Sequence, residues 1–173
     1  MQARDIRPHE ILLPVNGAFI AATFVAALLI NLLPWSGAWL YIKPDFVALV
    51  VLYWCIQQPR KVGFMSAWLL GILMDVAEGS LFGQHALAYS VLAFAGIVLH
   101  RRVLRFTMGS QMLHVLVLLV TNDAIVVAVR MLAGAGFPGV TYFLGSPVAT
   151  LMWPAITFLF KLPQRPTPDP DHV

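Results

Sequence analysis

Five ionisable side chains stand inside otherwise apolar runs of this chain. Asp75 and Glu78 lie three residues apart, His85 follows, and Asp123 and Arg130 lie seven apart. A carboxylate in hydrocarbon costs about 2.5–3.5 kcal/mol on insertion scales, so it persists only where it faces protein or water. Three chemistries are open to the pair on the third apolar run. Asp75 can cap or hydrogen-bond a neighbouring helix, with Glu78 near the headgroups. The two acids can form a ligand or proton site, or they can meet a partner's helix. Gly71, Asp75, Gly79 and Gly83 recur at intervals of four, which puts them on one helical face. Small residues there let another backbone approach closely. His85 reads as a hydrogen-bonding residue at a helix start, with metal or ligand binding as the alternative. Asp123 and Arg130 share a face about 10 Å apart along the axis, too far for a direct pair. Counted from the inner helix ends, Glu78 lies about 24 Å deep and Arg130 about 28 Å. These depths predict that helices three and five pack together and that Arg130 bridges Glu78, with Asp123 as a further partner.

The remaining chemistry is sparse. No second His or Cys lies at metal spacing. The glycines are not arranged as a phosphate loop, and there is no H-E-x-x-H or recognisable Ser–His–acid motif. No catalytic residue, cofactor or metal site is expected. The lone Cys55 sits in an apolar run and reads as a small apolar residue. Trp35, Trp39, Tyr41, Tyr53, Trp54, Trp68 and Trp153 lie mostly near the proposed helix ends, which suits an interfacial aromatic belt.

The elements that must hold these groups are membrane helices. Of 173 residues, 60% are hydrophobic and 11% charged, against about 25% charged in soluble domains. The mean hydropathy is +0.81. The expected fold is an all-α integral membrane protein: one transmembrane domain over 1–162, with six spans at about 15–33, 45–57, 62–78, 84–100, 111–133 and 147–162. The first run is too long for a signal-peptide core and reads as an uncleaved helix. Pro44 opens the second span, while Ser146 and Pro147 open the sixth. Pro154 should kink the sixth. The second span is short for a bilayer core of about 30 Å. It must extend into its flanks, be shielded by neighbours, sit in a thinned bilayer or be re-entrant. Residues 163–173, with four prolines, read as a disordered cytoplasmic tail.

Charge orients this arrangement. With both termini in the cytoplasm, nine of the 11 Lys and Arg residues fall inside, leaving Lys43 and Arg130 outside, as the positive-inside rule requires. The clusters Arg60-Lys61 and Arg101-Arg102 with Arg105 then serve orientation and contact with anionic lipid. Contact with a cytoplasmic filament is the alternative. Nucleic acid is a poor partner for a net charge of only +3 distributed in this way.

Several motifs occur together in order: Leu33-Pro34-Trp35, Lys43-Pro44-Asp45-Phe46, Leu52-Tyr53-Trp54 and Pro59-Arg60-Lys61-Val62-Gly63. They are followed by Gly71-Ile72-Leu73-Met74-Asp75 through Gly79, Gly83 and His85-Ala86-Leu87, then Trp153-Pro154 and Pro163-Gln164-Arg165. In this order the chain resembles the MreD family of bacterial rod shape-determining membrane proteins. The resemblance implies a non-enzymatic scaffold of the elongation machinery in the bacterial inner membrane, helping to organise lateral peptidoglycan synthesis. Its implied partners are MreC, a single-span periplasmic protein, and, in a larger complex, the MreB filament, RodA and a class B penicillin-binding transpeptidase. The implied fold is similar to the S components of energy-coupling-factor transporters. No catalytic residue carries over. The outer loop from Gly134 to Gly145 is long enough to contribute to a periplasmic contact with an MreC-like protein. A small-molecule binding or transport subunit is the competing function, with Asp75, Glu78, Asp123 and Arg130 around a periplasmic cavity. An enzyme acting on lipid-linked substrates is a more distant third.

Overall fold

The computed structural model describes residues 15–37 and 42–164. The described residues form six α-helices: α1 (Gly17–Asn31), α2 (Phe46–Gln57), α3 (Phe64–Ala77), α4 (Gln84–Val103), α5 (Met108–Leu132) and α6 (Gly145–Lys161). Two 3-10 turns, Val140–Leu144 and Leu162–Gln164, flank α6. Polar residues stop the apolar runs from extending backwards. Asn16 accepts from the Ala18 N–H at 3.0 Å to open α1, and Asp45 accepts from the Ala48 N–H at 3.0 Å to open α2. These satisfy backbone donors that a helix start leaves unpaired. The 3-10 turn after α6 carries order two residues into the stretch expected to be a tail. There Gln164 is buried and its Nε2 donates to the Phe160 carbonyl at 2.7 Å. Trp39, Tyr41 and the rest of that tail lie outside the described residues.

Helix α2 is the centre of the bundle. Every residue from Val47 to Ile56 is buried, and α2 touches α1, α4, α5 and α6. A helix apolar all round has to be enclosed in this way. Its 12 residues reach about 18 Å, and neighbouring helices shield them along that length. Helix α3 packs on α4, which also meets α2 and α5, and α6 packs on α5. The expected packing of α3 against α5 is not formed, because α4 stands between them.

Helix α4, helix α5 and the segment Val140–Gln164 are each long and apolar enough to cross a membrane, whereas α1, α2 and α3 are shorter apolar helices. Large apolar side chains such as Leu73, Phe82, Phe94 and Leu151 point outward from the bundle, as a surface against lipid would require. The aromatic belt needs correction. Tyr53, Trp54 and Trp153 are fully buried. They form a cluster with Phe19 and Phe160 in which Trp54 stacks on Phe160 at 5.7 Å and Tyr53 meets Phe160 edge-on at 5.1 Å. The Trp54 indole N–H donates to Thr23 Oγ1 at 2.9 Å, so the polar handle that would hold it at an interface is satisfied within the protein. Trp35 and Trp68 do reach the surface.

Candidate functional site

The helices alternate in direction. The ends of α1, α3 and α5 meet the starts of α2, α4 and α6 at one end of the bundle, where Asn31, Asp45, Glu78, His85, Asp123 and Gly145 line a common cavity. At the opposite end Lys61 Nζ donates to the Val15 carbonyl, joining the α2–α3 loop to the entry of α1. The four carboxylates of the described residues, Asp45, Asp75, Glu78 and Asp123, all gather at the cavity end. The basic residues that follow α2 and close α4 and α6 (Arg60 and Lys61; His100, Arg101 and Arg102; Lys161) lie at the other end. Helix dipoles favour this polarity for three of the four carboxylates, Asp45, Asp75 and Asp123, though not for Glu78 at the C-cap of α3. The N-termini of α2, α4 and α6 carry partial positive charge and favour anions, and their C-termini favour cations.

Each of these three N-termini has its own aspartate. Asp45 caps α2 and also accepts from the Tyr89 hydroxyl at 2.7 Å. Asn31, the last residue of α1, accepts from the Phe46 N–H at 3.1 Å and contacts Asp45 at 3.5 Å, locking α1 to the start of α2. Asp75 projects from α3 onto the start of α4. Its Oδ2 accepts from the Gly83 N–H at 2.7 Å and the Ala86 N–H at 3.4 Å, and its Oδ1 accepts from the His85 N–H at 2.9 Å. Oδ1 also meets the His85 ring Nδ1 at 2.8 Å and accepts from Ser80 Oγ at 3.2 Å. Asp123 on α5 accepts from Ser146 Oγ at 2.5 Å, in the first turn of α6. The expected N-cap role of Ser146 is therefore not what the structure has. Helix α6 starts one residue earlier at Gly145, and the buried hydroxyl clasps Asp123.

The glycine series serves two different purposes. At Gly71 a Cβ would stand 2.6 Å from the His85 carbonyl carbon, and closer still to Ala86. The close approach foreseen for this face is thus made by α4 of the same chain. Gly79 and Gly83 are not on the α3 face, because α3 ends at Ala77 with Glu78 as its C-cap. Gly79 has φ +60° and is the left-handed residue of a Schellman turn, in which the Ser80 N–H reaches the Asp75 carbonyl at 3.0 Å. Gly83, at φ +101°, precedes α4. The fourfold spacing therefore spans a helix and the turn that leaves it.

The cavity has a volume of about 330 Å³. Glu78, Asp123 and His85 line it, and Asp75 lies behind His85. Arg130 is not among the lining residues. The predicted Arg130 bridge is also absent. Glu78 contacts Lys43 Nζ at 3.5 Å and His85 Nε2 at 3.8 Å, and among the described residues Arg130 forms no ion pair. Helix α4 packs between α3 and α5, and Glu78 takes Lys43 and His85 as its partners instead. His85 has Asp75 on one ring nitrogen and Glu78 on the other. The ring Nδ1 meets Asp75 Oδ1 at 2.8 Å and the Gln84 side-chain amide at 3.3 Å, and Nε2 lies 3.8 Å from Glu78. The Ser80 and Ser146 hydroxyls donate to the Asp75 and Asp123 carboxylates, and neither donates to this ring. Among the described residues no group of three or more His, Cys, Asp or Glu side chains is placed to hold a metal ion.

Among the lining residues that sequence reasoning does not single out as site candidates are Asn31, Lys43, Asp45, Asn122 and Tyr142. A signal existed for two. Lys43 and Asp45 flank Pro44 at a helix opening, where an aspartate is expected to cap. Asn122 is next to Asp123 but carries no pattern of its own, and Tyr142 comes from the outer loop.

The chain matches the family model described as rod shape-determining protein MreD over residues 15–162. A curated relative, the rod shape-determining protein MreD of Haemophilus influenzae (strain ATCC 51907 / DSM 11121 / KW20 / Rd), is 29% identical over 147 residues, covering 84% of this chain and 90% of that protein. No solved structure matches the chain. The matched region takes in all six helices and the whole acidic end, and the chain belongs to the MreD family of rod shape-determining proteins.

Proposed function

We propose that this protein is a non-enzymatic scaffold of the bacterial elongation machinery. It sits in the inner membrane with six spans and both termini in the cytoplasm, and receives an MreC-like single-span protein at its acidic end. Through that partner it joins a larger assembly with an MreB filament, RodA and a class B penicillin-binding transpeptidase. The observation that carries this reading is the cavity at the acidic end, lined by residues of α1, α4, α5 and α6, by the caps Asp45 of α2 and Glu78 of α3, and by Pro138, Thr141 and Tyr142 from the segment before α6. By the distribution of basic residues that end faces the periplasm, where such a partner has its membrane-proximal chain. Family membership supports the role in cell shape. The small-residue face of α3 is already covered by α4, so it is not available to a partner's helix.

A second reading, a small-molecule binding subunit of the S-component kind, is favoured by the cavity volume, which lies within the range of ligand pockets, about 300–1,000 Å³. Native mass spectrometry of the tagged protein, gently extracted from its own membranes, separates the two. A co-purifying single-span periplasmic protein with no small ligand is the expected result. A retained metabolite without a protein partner would replace the scaffold reading with the second.

A further inference from the structure

Glu78 is the one carboxylate of the acidic end with no helix start to serve. It is the C-cap of α3, at the end of the helix dipole that repels anions. Its contacts with Lys43 and His85, at 3.5 and 3.8 Å, are both long. A local rule broken without structural return marks a functional position. Across the same cavity, Asn122 is 2% exposed and its Oδ1 has no hydrogen-bond partner. An unsatisfied buried acceptor costs about 1–3 kcal/mol, which a donor in the cavity would recover. The lining is rich in anionic acceptors: the carboxylates of Asp45, Glu78 and Asp123 and the free Asn122 oxygen face a single lysine, Lys43, with His85 and the neutral donors of Asn31, Thr141 and Tyr142. A carboxylate or phosphate ligand would meet repulsion here. A cation rich in N–H donors would satisfy both Glu78 and Asn122.

We propose that the cavity between Glu78 and Asn122 is a receptor for an alkylammonium or alkylguanidinium group. Either a lysine or arginine side chain of the periplasmic partner or a free amine supplies this chemistry. Only the first source rests on the scaffold reading above; the chemistry of the cavity does not.

The test uses the full-length protein in nanodiscs, with n-butylguanidinium, n-butylammonium, n-butanol and butyrate as probes in saturation-transfer NMR at constant ionic strength. The two cations are expected to bind saturably and the neutral and anionic probes not to bind. Glu78→Gln and Asn122→Leu should each weaken cation binding at least tenfold. Glu78→Gln should change the melting temperature little, because the Glu78 side chain holds no helix start and its contacts with Lys43 and His85 are long, which separates loss of binding from loss of fold. Equal binding of butanol, no saturable cation binding, or cation binding untouched by Glu78→Gln would overturn the proposal. In a second arm, n-butylguanidinium is titrated into the purified complex with the partner. Release of the partner assigns the cation to the partner's side chain, and simultaneous binding assigns it to a free amine. If no partner is found but the cations bind, the scaffold reading fails and the cavity chemistry stands. If the partner is retained and the cations never bind, the reverse holds.

Discussion

Replacing Asp75 with alanine removes the acceptor of three backbone N–H groups, those of Gly83, His85 and Ala86, and of the His85 ring. Asp75 is 1% exposed and His85 5% exposed, so water does not readily replace the lost carboxylate. A buried donor left without its partner costs about 1–3 kcal/mol. Three such donors, relieved in part by local relaxation, give a loss of about 3–6 kcal/mol. That is a large fraction of a total stability of about 5–15 kcal/mol. At about 2–4 °C per kcal/mol for a chain of this size, the melting temperature should fall by roughly 6–24 °C. Asp75→Asn keeps one acceptor oxygen for the His85 N–H and ring but turns an amide donor toward the Gly83 and Ala86 N–H groups. It should cost about half as much. The assay is thermal unfolding in a mild detergent, followed by the fraction of monodisperse protein on size exclusion. A drop below about 3 °C for Asp75→Ala, or an asparagine variant less stable than the alanine variant, would refute the argument that this carboxylate holds the start of α4.

Gly71→Ala places a methyl against the α4 backbone at His85 and Ala86; backbone cannot yield as a side-chain tip can, so the variant should fail to accumulate as folded protein in membranes, scored by yield after extraction. Gly79→Ala strains a left-handed turn position at φ +60° and should lower stability by about 1–2 kcal/mol, measurable in the same thermal assay without loss of fold. Arg130→Glu should cost about 1 kcal/mol, the range for a charge in the last turn of a helix, and adding Glu78→Arg should bring no rescue; a compensating double variant would reinstate the pairing that α4 interrupts. Trp54→Phe removes the indole donor to Thr23 Oγ1 while keeping most of the ring packing, and should cost about 1 kcal/mol in thermal unfolding.

The positions of the helices were legible because every apolar run ends in a turn former or a charge. Met108–Leu132 and Gly145–Lys161 fall within three residues of the runs read at 111–133 and 147–162. That Asp75 and Asp123 are buried also follows from the cost of charge in hydrocarbon, and Glu78 lies exposed at the end of α3. The partners of these carboxylates do not follow from it. Asp75 is held mainly by backbone N–H groups of another helix, and side-chain patterning does not encode backbone donors. The supposed Arg130 bridge came from matching depths along two helices. Depth leaves rotation and neighbour order free, and α4 occupies the space between. Tyr53, Trp54 and Trp153 were placed at an interface because they lie near helix ends. Proximity to an end does not distinguish an inward ring from an outward one, and the indole of Trp54 finds its acceptor on α1. Asp45 was read only as part of a helix opening, although one carboxylate both caps α2 and accepts from Tyr89.

The enclosure of α2 bears on how the chain is made. Of the four helices around it, α1 alone precedes it; α4, α5 and α6 are synthesised later. At about 5–20 residues per second, the last residues of α6 emerge roughly 5–20 s after α2 is complete. During that interval a helix of 12 residues has only α1 from its final surroundings. Its ten consecutive apolar residues, Val47 to Ile56, must keep it at the lateral gate or in lipid until its own chain supplies the walls. Assembly of the bundle is therefore post-insertional, and α2 is the segment on which an insertase or chaperone of the membrane would have longest to act.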